Sequence, residues 1–437
     1  MSEVNSKTQV NRKVMYRLYP SRKQAGRMTE MLRLHQRLYN CALEHRITLY
    51  KDNGVTIDFA EQCRQLTVLR AEMPEYSDIN AQSEQVTLKR VHLAYKAFFT
   101  RLKKGEKAGF PRFKSFERFK GWGYKKHGDG WRFTANENFI NGTMRLSGVG
   151  NLQCRGRGRK DDFSGERNPG IPKTMEIIHK RGKWYASVTF KRDIPERTSG
   201  DKVVGIDWGT SKFLTIVDSF GNVEETQNPR LMKRFEEKLK GAQRELSRKK
   251  KGSVNRQKAK AKLVVIHEKL ANKREDHLHK KSANIVRNAK HIATEKLNIK
   301  GMTASGGATK KGLNRSILDT SPGEFFAKLG YKAEEAGIKW TWIPTRKVKP
   351  SQTCACCGHQ EKKKLSDRIH HCRKCGFVCD RDVNATLVMI NYALTGVAHS
   401  GRKVTSQELA LGVEGEVTNP VKHETPPICE QGELFTE

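Results

Sequence analysis

Three acidic residues stand where a folded chain tolerates them poorly without a partner. Asp207 ends the apolar run VVGID, Glu295 closes HIATE, and Asp382 lies in CDRDVNATLVMINYAL, at the mouth of a helical pattern expected to begin around Val383. An acid at such a place must face solvent or a cation, and taken singly it is more often a turn residue than a catalyst. Convergence of three changes the chemistry. Acids meeting from separate elements can hold two Mg²⁺ ions about 4 Å apart, which activate a water and stabilise the leaving oxygen of a phosphodiester. Mg²⁺ takes oxygen ligands and needs only a few carboxylates beside water and phosphate. The expectation is one catalytic, Mg²⁺-binding site built from Asp207, Glu295 and Asp382.

Between the second and third acids lies a different chemistry. Six of the ten cysteines crowd into residues 354–379, and two CxxC knuckles, Cys354/Cys357 and Cys372/Cys375, are separated by fourteen residues. Each knuckle is followed by glycine, Gly358 or Gly376, which lets the chain turn tightly. Four thiolates at this spacing suit one tetrahedral Zn²⁺ that contributes folding energy rather than catalysis, because a closed site leaves no open position. Cys356, Cys379, His370 and His371 are further donors nearby, and Cys379 is an alternative to Cys375. A redox pair is the competing reading. Clustered cysteines in a large basic chain point to metal in a reducing, intracellular setting rather than to a disulfide scaffold.

Other elements must position these groups. VMYRLYP alternates as a strand that Pro20 closes, and from Ser21 to about Lys104 Met28, Met31, Leu32, His35, Leu38, Tyr39 and Leu43 recur at helical spacing. AGFPRFKSFERFKGWGYKK mixes aromatics with Lys and Arg, which suits either stacking on bases beside phosphates or a buried strand-and-loop segment. MEIIHK and WYASVTF alternate about a turn at Arg181, Gly182 and Lys183, a hairpin signal. VVGIDWGTSKFLTIVDSFGNVEE reads as two or three consecutive strands, and residues from about 229 to 290 form a basic helical region interrupted by SRKKKGSVNRQKAKAK. KGMTASGGATKKG is expected to be a flexible loop, with its Gly-rich part after Met302 a lid over the acidic cleft. Ser321, Pro322 and Glu324 are expected to open a helix with a capping box.

Charge narrows the partners. Lys and Arg number 84 against 47 Asp and Glu, giving +37 over 437 residues. Such self-repulsion is relieved by a polyanion, and a nucleic acid fits, with binding that weakens as salt rises. No apolar run reaches about 18 residues and the first residues lack a signal-peptide core, so a membrane or secreted protein is not expected.

The ordered set RLYPSRKQ, LYNCAL, AFFTRLKKGEKAGFPRFK, GIDWGTSKF, TEKLNIKGM, KAEEAGIKW and DRDVNAT resembles the TnpB proteins of insertion-sequence transposons, relatives of compact type V CRISPR effectors, up to about Leu394. Trp208, Thr210 and Cys356 depart from the usual family residues. The resemblance implies an α/β plus β fold: an RNase H-like RuvC nuclease core with an inserted zinc ribbon, a β-barrel-like wedge domain and a helical recognition domain. Its domains would be 1–20 with 121–198 (wedge), 21–120 (recognition), 199–352 with 380–396 (nuclease), 353–379 (ribbon, contacting target nucleic acid) and 397–437 (disordered acidic tail). It implies a guide RNA, target double-stranded DNA beside a short flanking motif, two catalytic Mg²⁺, one structural Zn²⁺, and a monomer in a prokaryotic, cytoplasmic ribonucleoprotein that joins the nucleoid on DNA. Asp382 rather than Asp380 takes the third catalytic role, because the family acid directly precedes x-Asn-Ala. The rival within that family is an RNA-guided regulator that binds without cutting, which would lack the acidic triad. GIDWGTSKFLTIVDSFGNV also resembles the phosphate hairpin of actin-like sugar kinases and chaperone ATPases, chains that carry two such cores and no ribbon.

Overall fold

Alternation places the first strand, β1 (Gln9–Tyr19), with Pro20 directly after it. Ser21 then caps α1 (Arg22–Asn53): its hydroxyl accepts from the Gln24 N–H, and the Gln24 side chain accepts from the Ser21 N–H. The residues at helical spacing on α1, His35 included, are all buried. After α2 (Phe59–Glu72), α3 (Pro74–Ser77) and α4 (Ala81–Lys103), the chain returns to strands: β2 (Gly121–Tyr124), β3 (Trp131–Ala135), β4 (Asn141–Leu146), β5 (Gly150–Gly156), β6 (Ile171–Lys180) and β7 (Lys183–Asp193). Arg181 and Gly182, with φ of 54° and 68°, make the two-residue turn between β6 and β7.

The structure is a computed structural model that describes residues 9–137, 139–156, 169–194, 200–364 and 367–400. The chain divides into two units, Met1–Ile194 and Pro195–Glu437. In the first, seven antiparallel strands follow the order β2-β6-β7-β1-β5-β4-β3. The rings of Phe133 on β3 and Phe190 on β7 stand 6.0 Å apart although four strand steps separate them. A flat sheet would hold them about 19 Å apart at roughly 4.8 Å per strand. The sheet therefore curls back on itself. The core it encloses continues into α1 and α4; there His35 stacks on Trp122 at 5.6 Å and meets the Thr87 hydroxyl at 3.0 Å.

The second unit is built on a mixed sheet. It comprises β8 (Lys202–Trp208), β9 (Lys212–Asp218), β10 (Val223–Gln227), then α5 (Leu231–Ser247), α6 (Val254–Asn288), β11 (Ala289–Glu295), α7 (Ile299–Met302), α8 (Ala308–Thr320), α9 (Pro322–Glu335), β12 (Lys339–Ile343), α10 (Thr345–Val348), β13 (Ile369–His371), β14 (Val378–Asp380) and α11 (Arg381–Thr395). The main sheet runs β10-β9-β8-β11-β12. β9 lies between β8 and β10 and runs antiparallel to both, whereas β11 runs parallel to both β8 and β12. α11 covers the face that carries Val217, Ala293 and Ile343. No helix among the described residues is long and apolar enough to cross a membrane.

Three local expectations need correction. The glycine-rich stretch after Ile299 is largely helical, forming α7 and most of the first half of α8, with only residues 303–307 between them. Ser321 does not build a capping box. It closes α8 and opens α9 at once, its φ of 49° turns the hydroxyl away, and that hydroxyl donates to the Leu318 carbonyl at 3.0 Å. The last helix starts at Arg381 rather than Val383, because Asp380 caps it. The expected acidic tail lies outside the described residues from 401 onward.

Candidate active site and metal centre

Sheet register brings the first two acids together. β8 and β11 are parallel, with Thr294 opposite Ile206, so the next step sets Glu295 beside Asp207 at the C-terminal ends of both strands, on the same face. Gly205 lies two residues before Asp207 and therefore on that face too. A Cβ at Gly205 would fall 2.5 Å from the Thr386 carbonyl oxygen, so the α11 backbone rests directly on β8. One helical turn before Thr386 is Asp382, which α11 thus carries over Asp207. A missing side chain on the strand is what lets the third acid approach.

Electrostatics records the convergence. The Asp207 carboxyl is held well above the ordinary carboxylate range, first by burial and then by the negative charges of Asp382 and Glu295. The Trp208 N–H and the Arg381 guanidinium pull weakly in the other direction. Burial also raises Glu295. Asp207, Glu295 and Asp382 each keep partial access to solvent, so the cluster lines a recess rather than a sealed core. Arg381 stands at its rim, its guanidinium 3.6 Å from Asp382.

The three carboxylates are not packed as ligands of one small ion. Among the described residues, the one set of at least three donor side chains with all atoms within 4.8 Å is the cysteine cluster. An oxygen-only set of this kind suits hard cations rather than soft ones. Asp380 has a different task. Its carboxylate accepts from the N–H groups of Asp382 at 2.7 Å and Val383 at 3.3 Å, and pairs with the Lys212 ammonium at 3.3 Å. Capping the helix occupies it, which leaves Asp382 to face the other acids.

Cys354, Cys357, Cys372 and Cys375 gather into a set that can hold a metal such as zinc. The sulfurs of Cys354 and Cys375 are 3.7 Å apart, those of Cys357 and Cys372 3.6 Å. A tetrahedron with Zn–S bonds of about 2.3 Å has edges of about 3.8 Å, so the thiols fit the ion. Gly358 and Gly376 both have φ of 72°, and each donates its N–H to the carbonyl of its knuckle's first cysteine, at 3.0 and 2.9 Å. Cys356 and Cys379 are buried beside the set and outside it.

Sequence reasoning missed the fastening between the two centres. The fully buried Asn384 accepts from the Ala355 N–H at 3.0 Å and donates to the Thr353 carbonyl at 2.7 Å, while Asn391 donates to the Ala355 carbonyl at 3.1 Å. Two amides of α11 thus hold the first knuckle, and Asn384 sits two residues from Asp382. Asn384 stood in the x-Asn-Ala pattern beside the third acid, but nothing in that pattern pointed to the first knuckle. Arg381 was missed as well, although it adjoins Asp382.

A family model for OrfB_IS605, described as "Probable transposase", matches residues 186–306, and a model of the Cas12f1-like TNB domain matches 323–389. A Streptomyces pristinaespiralis protein named "Putative RNA-guided DNA endonuclease" is 29% identical over 388 residues, covering 86% of this chain and 88% of its own. The Escherichia coli (strain K12) protein "Putative RNA-guided DNA endonuclease InsQ" is 31% identical over 322 residues, covering 70% and 73%. The chain belongs to the TnpB family. Asp207 and Glu295 of this TnpB chain fall within the transposase match, and Asp382 and the four cysteines within the TNB match. Its fold is similar to that of Cas12f1 in a cryo-EM complex with guide RNA and target DNA, with a TM-score of 0.59 at 13% identity, covering 87% of this chain and 98% of the other.

Proposed function

We propose that this TnpB chain is an RNA-guided endonuclease that cuts double-stranded DNA next to a short flanking motif. The observation that carries the reading is the meeting of Asp207, Glu295 and Asp382 at the end of β8, where burial first, and then the charges of Asp382 and Glu295, hold the Asp207 carboxyl high. Three acids held against their own repulsion make sense for a site completed by cations, and folding for its own sake would have neutralised or dispersed them. The sheet, three antiparallel strands followed by two parallel ones with a helix over the acids, supports assignment to the RNase H-like RuvC class. Bound there, two Mg²⁺ would activate the attacking water and stabilise the leaving oxygen.

Asp207, Glu295 and Asp382 supply the oxygens, and Arg381 is placed to offset charge on a phosphate beside them. Zn²⁺ at Cys354, Cys357, Cys372 and Cys375 holds the ribbon whose first knuckle steadies α11, and with it Asp382. Residues 1–20 with 121–198 would form the wedge, 21–120 the recognition domain, 199–352 with 380–396 the nuclease and 353–379 the ribbon. A guide RNA pairs with one strand and the protein clasps the heteroduplex by backbone charge, which the +37 excess supports. We read the assembly as a monomeric ribonucleoprotein.

Asp207→Ala tests the assignment. Cleavage of a plasmid carrying the target and flanking motif should fall below detection, while guided binding in a gel-shift assay stays within about twofold. Persisting cleavage would overturn the catalytic role of these acids. Cleavage absent from the wild type despite tight guided binding would favour the regulator.

A further inference from the structure

The mixed aromatic and basic segment has two fates. Its later part, with Phe119, Trp122 and Tyr124, is buried core. Its earlier part is not. At the end of α4 and in the return segment after it, Phe99, Phe110 and Phe113 are 52%, 48% and 53% exposed.

Phe99 and Phe110 are packed rather than loose, and Phe113 adjoins a pinned residue. Gly105, at φ 65°, reverses the chain after α4 and donates to the Leu102 carbonyl at 2.9 Å. The returning segment lays Phe110 edge-on against Phe98 at 5.3 Å and against Tyr95 at 5.7 Å, while Phe99 stacks near Tyr95 at 6.3 Å. Its far end is pinned to α1: the Lys114 N–H donates to the Asn40 side chain at 2.9 Å, and the Lys114 carbonyl accepts from Gln36 and Asn40. Charge along this stretch is strongly positive. Residues 96–114 hold seven lysines and arginines and a single acid, Glu106.

We propose that this face is a stacking platform for unpaired bases of RNA. Hydrophobic docking of a protein would leave those cations without partners, whereas a phosphate backbone neutralises them as its bases meet the rings. RNA is favoured over DNA because bases in RNA loops and ends are already splayed, while those of a target duplex are stacked inside it. The inference rests on the RNA-guided reading and adds a location and a mode of contact.

The test uses the full chain, purified free of nucleic acid, and three probes at fixed salt: a fluorescein-labelled 20-nucleotide oligouridylate, an abasic ribose-phosphate strand of the same length, and a 20-base-pair DNA duplex. Phe99→Ala with Phe113→Ala should weaken oligouridylate binding about tenfold or more and leave the abasic strand and duplex within about twofold. Tyrosine at both positions should restore binding, and an unchanged melting curve separates lost contact from lost fold. Equal loss on oligouridylate and the abasic strand, or no loss, would overturn the platform. So would unchanged affinity accompanied by loss of self-association, which would assign the face to a second copy. A wild-type chain that binds no RNA would overturn the RNA-guided reading itself, whereas wild-type binding insensitive to the two rings would overturn only the platform.

Discussion

Asp207→Asn should make the magnesium-free protein more stable while removing its response to Mg²⁺. The sign follows from the raised carboxyl. Between the ordinary carboxylate range and its elevated folded value, the folded state keeps a proton that the unfolded chain releases. Stability therefore falls as pH rises through that window and stays low above it. Side chains on one face of neighbouring strands stand about 5 Å apart at their Cβ atoms, so roughly 6 Å is the scale for two carboxylates there. Two full charges at that distance repel by about 3 kcal/mol at an effective dielectric near 20. Partial protonation and relaxation relieve some of this, so about 1–2 kcal/mol should be recovered by the neutral amide, or about 2–8 °C in melting temperature for a unit of this size. The assay is a thermal melt at pH 8 in magnesium-free buffer that leaves zinc bound, followed by titration with MgCl₂. Wild type should rise with added Mg²⁺ and Asp207→Asn should not. A variant that melts lower than wild type without Mg²⁺, or an equal gain for both proteins, would refute the idea that these acids are held in mutual repulsion for cations.

Two further substitutions separate support from chemistry. Asn384→Ala leaves the Ala355 N–H and the Thr353 carbonyl buried without their partner; at about 1–3 kcal/mol per orphaned group, zinc should leave for a colorimetric chelator at least tenfold faster, and a wild-type release rate would dissociate the ribbon from α11. Asp380→Ala removes a helix cap worth about 1 kcal/mol together with the Lys212 pair, so cleavage should drop only severalfold, whereas Asp382→Ala should abolish it; the reverse order of severity would exchange their roles.

What the sequence made legible follows from how far apart the interacting residues lie along the chain. The ribbon declares itself because its geometry is local: two residues between cysteines and a glycine after each pair already fix a knuckle, and both glycines adopt the positive φ that the spacing required. Helix faces are local in the same way, and even His35, polar within an apolar stripe, is buried as its position demands. Ser321 shows the limit of that reasoning. Its neighbours spell a capping box, but one residue cannot end α8 in the left-handed region and also present its hydroxyl to α9.

The acids were legible only as candidates, because their meeting depends on register and close approach. Nothing in HIATE states that Thr294 will face Ile206, and that pairing is what sets Glu295 beside Asp207. Gly205 carries the least visible instruction. Within VVGID it reads as a weak point in a strand, yet the Thr386 carbonyl occupies the place its side chain would fill. Any larger residue there would push α11 away, and the shift would reach Asp382 one turn earlier and Asn384 between them. The separation of the third acid from the other two and the grip on the first zinc knuckle are therefore set by the same contact. The ribbon stands immediately before Asp382 in the chain because the helix that delivers the acid is also the helix that holds the ribbon.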